Sequence, residues 1–153
     1  MELKTGAKES TLDDKGRVSI PIRFREYFQG KLYITLGPGS EKCAMIMTEA
    51  VCERVVQAEK NPEEPLDQAE KRVLKNRLLR PIDEVELDKT GRIAIPSFIR
   101  RYANLTKDCL VMRDEYCLFI WDMDTYDAYI AETDPLSLSA MNKLSSKDIF
   151  RVD

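Results

Sequence analysis

The chain has 153 residues, of which 33% are charged and 43% hydrophobic, with a formal net charge of −3. That length suits one ordinary domain or two small ones sharing a core. Histidine is absent, which excludes Ser-His and Cys-His catalysis and His-ligated zinc.

Other functional classes fall away on similar grounds. No apolar run approaches the ~20 residues that cross a bilayer. The opening Met1-Glu2-Leu3-Lys4-Thr5-Gly6 lacks the apolar stretch of a signal peptide. A soluble cytoplasmic protein with no membrane partner is expected. Cys43, Cys52, Cys109 and Cys117 stand at spacings of 9, 57 and 8, which match no zinc motif, and read as buried reduced thiols. No catalytic residue, metal, cofactor or small-molecule substrate is expected.

In chain order, Ser10 to Leu12 predicts a short strand. Asp13-Asp14-Lys15-Gly16 is turn chemistry, since Asp bonds its own backbone and Gly supplies a positive φ. Arg17 to Ile20 is the return strand, with Val18 and Ile20 inward and Arg17 and Ser19 outward. Pro21 opens a short helix with Phe24 and Phe28 on its apolar side. Strands follow at 32–36 and 43–47, joined by Gly37-Pro38-Gly39. Thr48 is the N-cap of a helix to about residue 60.

A linking helix over about 66–79 is preceded by Pro62 and Pro65 and ended by Pro81. The pattern then begins again. Val85 and Leu87 point inward, Asp88-Lys89-Thr90-Gly91 turns, and Ile93 and Ile95 return inward. Pro96 opens a helix with Ile99 and Tyr102, and strands follow at 109–112 and 117–121. Asp122 caps a helix over about 123–132, and a short terminal helix is predicted at 138–144. The organisation expected is a first module over 6–60, a linking helix over 61–81, a second module over 82–132 and a C-terminal helix or tail over 133–153.

The recurrence is literal. Leu12-Asp13-Asp14-Lys15-Gly16-Arg17-Val18-Ser19-Ile20-Pro21 and Leu87-Asp88-Lys89-Thr90-Gly91-Arg92-Ile93-Ala94-Ile95-Pro96 are 75 residues apart, and Arg25 and Tyr27 recur as Arg100 and Tyr102. The repeat marks a duplicated unit. Four short strands per unit cannot bury both faces, so the two copies are expected to intertwine into one α+β body with a shared small sheet or barrel and flanking helices.

The plain explanation for each Asp-x-x-Gly is a tight turn. A turn does not require the arginine that follows the glycine in both copies, and that repetition points to a contact surface. Arginine's fork suits a guanine edge or a phosphate, and a two-stranded ribbon fits the major groove. Residues 15–25 carry Lys15, Arg17, Arg23 and Arg25 without an acid, and residues 89–101 carry Lys89, Arg92, Arg100 and Arg101 without one. Asp13 and Asp88 would repel phosphate, so their expected role is to brace the turn or orient the arginine.

With its two Asp-x-x-x-Arg motifs (13–17 and 88–92), Gly6 before the first strand, and the strand end Leu118-Phe119-Ile120-Trp121-Asp122, the chain resembles the MraZ family of bacterial transcriptional regulators. That family is built from two AbrB-like swapped-hairpin modules. The resemblance covers roughly residues 6–130. It implies closed homo-oligomeric rings that bind short direct repeats in promoter double-stranded DNA, mainly as repressors of their own division and cell-wall gene cluster, in the cytoplasm at the nucleoid. The positions matching the DNA-binding loops are Lys15, Gly16 and Arg17, with Lys89, Gly91 and Arg92. Arg23, Arg25, Arg100 and Arg101 are secondary basic candidates.

The alternative is an antitoxin-like protein-interaction module of the AbrB superfamily. Such antitoxins carry one module and a long toxin-binding tail, and this chain has two modules and a short tail. Lys71, Arg72, Lys75, Arg77 and Arg80 crowd the linking helix, as either a solvated face or a second contact surface.

Overall fold

The computed structural model describes residues 1–144 and residue 149. The elements run β1 (Gly6–Thr11), β2 (Arg17–Ser19), α1 (Ile22–Arg25), β3 (Leu32–Leu36), β4 (Ala44–Thr48), α2 (Glu49–Lys60), α3 (Gln68–Leu74), β5 (Asp83–Val85), β6 (Arg92–Ala94), α4 (Ser97–Tyr102), β7 (Asp108–Arg113), β8 (Cys117–Asp122) and α5 (Met123–Met141). The fold is α+β with a mostly antiparallel sheet.

The two copies share every layer. One six-stranded sheet has the order β1-β7-β8-β4-β3-β5, and β2 pairs with β6 in a separate two-stranded ribbon. Exchanging the copies (β1 for β5, β7 for β3, β8 for β4) reverses that order onto itself, so the molecule has an internal two-fold relation. Three of the five neighbour pairs in the large sheet join one copy to the other, as Lys8 opposite Val111, Ile46 opposite Leu118 and Leu32 opposite Val85 illustrate.

Two expectations change. The sheet is open, with β1 and β5 at its edges, so the shared body is a sheet rather than a closed barrel. The local hairpin across the first turn also shrinks to a single bridge, Leu12 opposite Val18. Strands of three residues are too short to hold a hairpin alone. β2 instead takes its ladder from β6, pairing Arg17 with Ala94, Val18 with Ile93 and Ser19 with Arg92.

The ribbon's inner face explains that choice. Val18, Ile20 and Ile93 are fully buried and Ile95 nearly so, in one cluster with Phe24, Phe28, Leu32, Ile34, Ile99, Val111, Leu118 and Ile120. Residues from both copies fill this one core. Each buried aliphatic contributes roughly 1.5–3 kcal/mol, and neither copy alone supplies enough of them.

Helix ends follow the sequence. Val51 N–H donates to Thr48 Oγ1, and Thr125 N–H to Asp122 Oδ2. Asp67 and Glu70 form a reciprocal capping box at the start of α3, which widens into a π-helical turn over Lys75–Leu79. The separate terminal helix expected at 138–144 does not occur. α5 runs unbroken through Pro135 to Met141, carried past the proline by Leu136, Leu138, Ala140 and Met141, which favour the helix. The tail predicted beyond it lies largely outside the described residues. No helix among those described is long and apolar enough to cross a membrane.

Candidate nucleic-acid interface

The two Asp-x-x-Gly turns are built identically. The Gly16 N–H donates to Asp13 O and the Asp13 N–H to Arg17 O, as the Gly91 N–H does to Asp88 O and the Asp88 N–H to Arg92 O. Gly16 and Gly91 both sit at φ 79°, the left-handed region that favours glycine. Each glycine is also the landing site for an arginine of the other copy. A Cβ on Gly16 would collide with the Arg100 guanidinium, and one on Gly91 with that of Arg25.

Arg25 Nε donates to Ile20 O at 2.7 Å, and Arg100 Nη1 to Ile95 O at 3.2 Å. The Ile20 N–H in turn donates to Gly91 O, and the Ile95 N–H to Gly16 O. Turn, strand end and helix of opposite copies are thereby locked together. Arg25 and Arg100, half-buried in this lock, are placed as structural arginines. Arg23 and Arg101 remain exposed, with Arg23 stacked on Phe24.

The aspartates hold the arginines that follow each turn. Asp13 Oδ1 accepts the backbone N–H groups of Lys15 and Arg17, both at 2.9 Å, and its Oδ2 accepts Arg17 Nε at 2.8 Å. Asp88 Oδ1 accepts the N–H groups of Thr90 and Arg92, also at 2.9 Å, together with Thr90 Oγ1, and its Oδ2 accepts Arg92 Nε at 3.1 Å. These donors favour the ionised carboxylate. The Arg92 backbone N–H contributes most to holding Asp88 down to about 2, and the Arg17 backbone N–H leads in lowering Asp13.

Each side-chain bond uses Nε, which leaves the terminal guanidinium nitrogens directed away from the turn. Arg92 Nη1 reaches across to Asp13 Oδ2 at 3.5 Å and ties one copy's arginine to the other's aspartate.

Strand alternation then assembles the surface. Val18 and Ile93 point into the core, so Arg17, Ser19, Arg92 and Ala94 share the opposite face of the β2–β6 ribbon. The two arginines stand diagonally on that face, each about 30% exposed. The fully exposed positions of the turns are held by Asp14 and Lys15, and by Lys89 and Thr90. The arginines therefore lie on the ribbon's flank behind the tips, rather than at the tips where the sequence suggested them. The structure brings Lys15, Arg17, Lys89 and Arg92 into one region and buries Gly16 and Gly91 beneath Arg100 and Arg25.

The lock itself escaped sequence reasoning, although its signal was present: Arg25 and Arg100 recur at the same 75-residue interval as the glycines they cover. On the linking helix, Arg77 bonds the carbonyls of Gly37 and Gly39 and the Tyr102 hydroxyl, and Lys75 pairs with Glu59 at 3.2 Å. Those two cations dock the helix to the body.

Other chemistry finds little support. Burial raises the thiol of Cys43 to about 12 and those of Cys109 and Cys117 to about 11, far from the thiolate that nucleophilic chemistry needs. Among the described residues no cluster of Cys, Asp and Glu is arranged to hold a metal ion.

Comparison with known proteins agrees with the duplication. The family described as "MraZ protein, putative antitoxin-like" matches residues 3–77 and again 78–147. Three proteins named transcriptional regulator MraZ are similar over most of their length. That of Treponema denticola is 36% identical over 132 residues, covering 86% of this chain and 90% of the relative. That of Treponema pallidum (strain Nichols) is 37% identical over 131 residues, covering 85% and 86%. That of Saccharopolyspora erythraea is 35% identical over 127 residues, covering 83% and 86%.

Proposed function

The chain belongs to the MraZ family, and from that premise we propose that it is a sequence-specific DNA-binding transcriptional regulator and not an enzyme. In this reading it represses its own division and cell-wall gene cluster, at the nucleoid, by binding short direct repeats as a multi-subunit ring. One observation carries the proposal. Arg17 and Arg92, from different copies of the repeat, stand on one face of a two-stranded ribbon, and each is oriented by an aspartate through Nε.

A ribbon of that width enters the major groove, and an arginine with both terminal nitrogens available reads the guanine edge bidentately. Lys15 and Lys89 at the exposed turns, with Arg23 and Arg101, supply phosphate contacts that fix register. The exchange between β2 and β6 is consistent with the swapped-hairpin arrangement of AbrB-like modules.

The overall charge of −3 fits this reading. Acids elsewhere oppose non-specific adhesion, while several ribbons on one ring gain roughly 10²–10⁴ in avidity when repeat spacing matches. Affinity should fall steeply with salt, with log K dropping by about 0.9 per phosphate neutralised for each tenfold rise in salt.

A gel shift on the DNA upstream of the chain's own gene, with repeat spacing varied, tests the proposal. The Arg17→Ala/Arg92→Ala double variant should lose specific binding while keeping its circular dichroism and Tm. A double variant that still shifts the repeats would sink the assignment of these residues.

A further inference from the structure

Two helix faces remain unpartnered, and their charges are opposite. α5 turns Tyr126, Tyr129 and Thr133 toward the body, with Tyr129 stacked on Trp121. The opposite stripe, Asp124, Asp127, Ala131, Asp134, Leu138 and Met141, recurs at helical spacing and is exposed throughout. Leu138 and Met141 are 62% and 45% exposed, large values for apolar side chains. No basic residue interrupts 122–142.

The linking helix shows the converse. With Lys75 and Arg77 consumed in docking, its outward stripe is Arg72, Val73, Asn76 and Arg80, with Val73 62% exposed. Among the described residues no ion pair joins this stripe to α5.

The internal two-fold relation says how such faces meet. Within the chain, α2 receives the linking helix through Glu59 and Lys75. The residue 75 positions after Glu59 is Asp134 on α5, exposed and without an ion-pair partner among the described residues. α5 is the counterpart of α2 and has no linking helix of its own to receive.

We propose that the outward stripe of α5 packs against the outward stripe of the linking helix of a second copy of this chain. Asp127 and Asp134 are seven residues apart, and Arg72 and Arg80 eight, which by helical rise is roughly 10 Å and 12 Å. Two ion pairs can form together, with Val73 against Ala131 and Leu138 between them. Exposed ion pairs contribute little individually. The apolar contact supplies the attraction and the charges set orientation and partner. The contact is head-to-tail, so repetition closes a ring or extends a filament.

The inference rests on the self-assembly in the proposed function. The experiment is sedimentation velocity on three full-length proteins: native, Arg72→Glu/Arg80→Glu, and Asp127→Lys/Asp134→Lys. The native chain should sediment as an oligomer and each variant as a folded monomer. An equimolar mixture of the two variants should regain the native mass, because each supplies the face its neighbour lacks.

Variants that keep the native mass, or a mixture that stays monomeric, would overturn the surface while leaving assembly itself standing. A monomeric native chain would overturn both and give these faces to a different partner. Because all four substituted residues lie off the ribbon, a gel shift on a single repeat reports the DNA reading separately.

Discussion

The Gly16 turn and the Gly91 turn have the same backbone hydrogen bonds and the same φ of 79°, yet their carboxylates are not equally engaged. Asp88 serves its own turn alone. It accepts from Thr90 through both backbone and hydroxyl, where Asp13 meets Lys15 only through the backbone. Asp13 instead takes a second arginine, Arg92, from the other copy. Duplication thus preserved the turn and divided the labour of its aspartates: one stabilises locally, and the other couples the two halves of the ribbon face.

The largest effect should come from the glycines. Gly91→Ala forces an L-residue into the left-handed region at about 1–2 kcal/mol and drives its Cβ into Arg25, weakening the 2.7 Å bond to Ile20 O. Gly16→Ala disturbs the longer 3.2 Å bond of Arg100 and should cost less. Gly30, at φ 72° with nothing near its Cβ position, isolates the backbone contribution. Thermal melts should order the losses Gly91→Ala, Gly16→Ala, Gly30→Ala, from roughly 10 °C down to a few degrees. Equal shifts at all three sites would show that the arginine lock contributes nothing.

An intermediate effect is expected at the carboxylates. Asp13→Asn releases Arg17 and loosens Arg92, whereas Asp88→Asn releases Arg92 alone. Removing either negative charge should raise non-specific DNA affinity. The ratio of specific to non-specific affinity should fall on the order of tenfold for Asp13→Asn, the scale of one oriented arginine contact, and by less for Asp88→Asn. Competition gel shifts with scrambled DNA measure that ratio. An equal or reversed ranking would remove the coupling role of Asp13.

Much of this was legible in the sequence because it is local. The turns, their glycines, the inward Val18 and Ile93, and the caps Thr48 and Asp122 all depend on neighbours within a few residues. Pairing was not legible, because the alternation that buries Val18 is satisfied by any antiparallel partner, and only the shared core selects β6 over the rest of the same copy. Arg25 and Arg100 were misplaced for the same reason. An arginine on a short helix looks solvent-facing until a glycine from 66 or more residues away arrives beneath it. The merging of the last two predicted helices shows propensity outweighing a single proline.

The smallest effect, and the finest test of the two turns, is in acid. Both aspartates have folded-state pKa values depressed below the ordinary 3.8, Asp88 to about 2. A depressed carboxylate stabilises the fold above its unfolded pKa, and that contribution disappears as pH falls through the folded value. Native and Asp88→Asn proteins should therefore differ in Tm by a constant few degrees at most above about pH 4, and their curves should converge as pH approaches 2. Thr90→Ala removes one of the bonds that hold Asp88 down and should move the start of that convergence to higher pH without changing its end point. No residue corresponding to Thr90 acts on Asp13 through a side chain, so Lys15→Ala should leave the Asp13 limb where it is. If Lys15→Ala and Thr90→Ala shift the acid limb alike, the hydroxyl is irrelevant and the two turns differ only in the arginine that Asp13 shares.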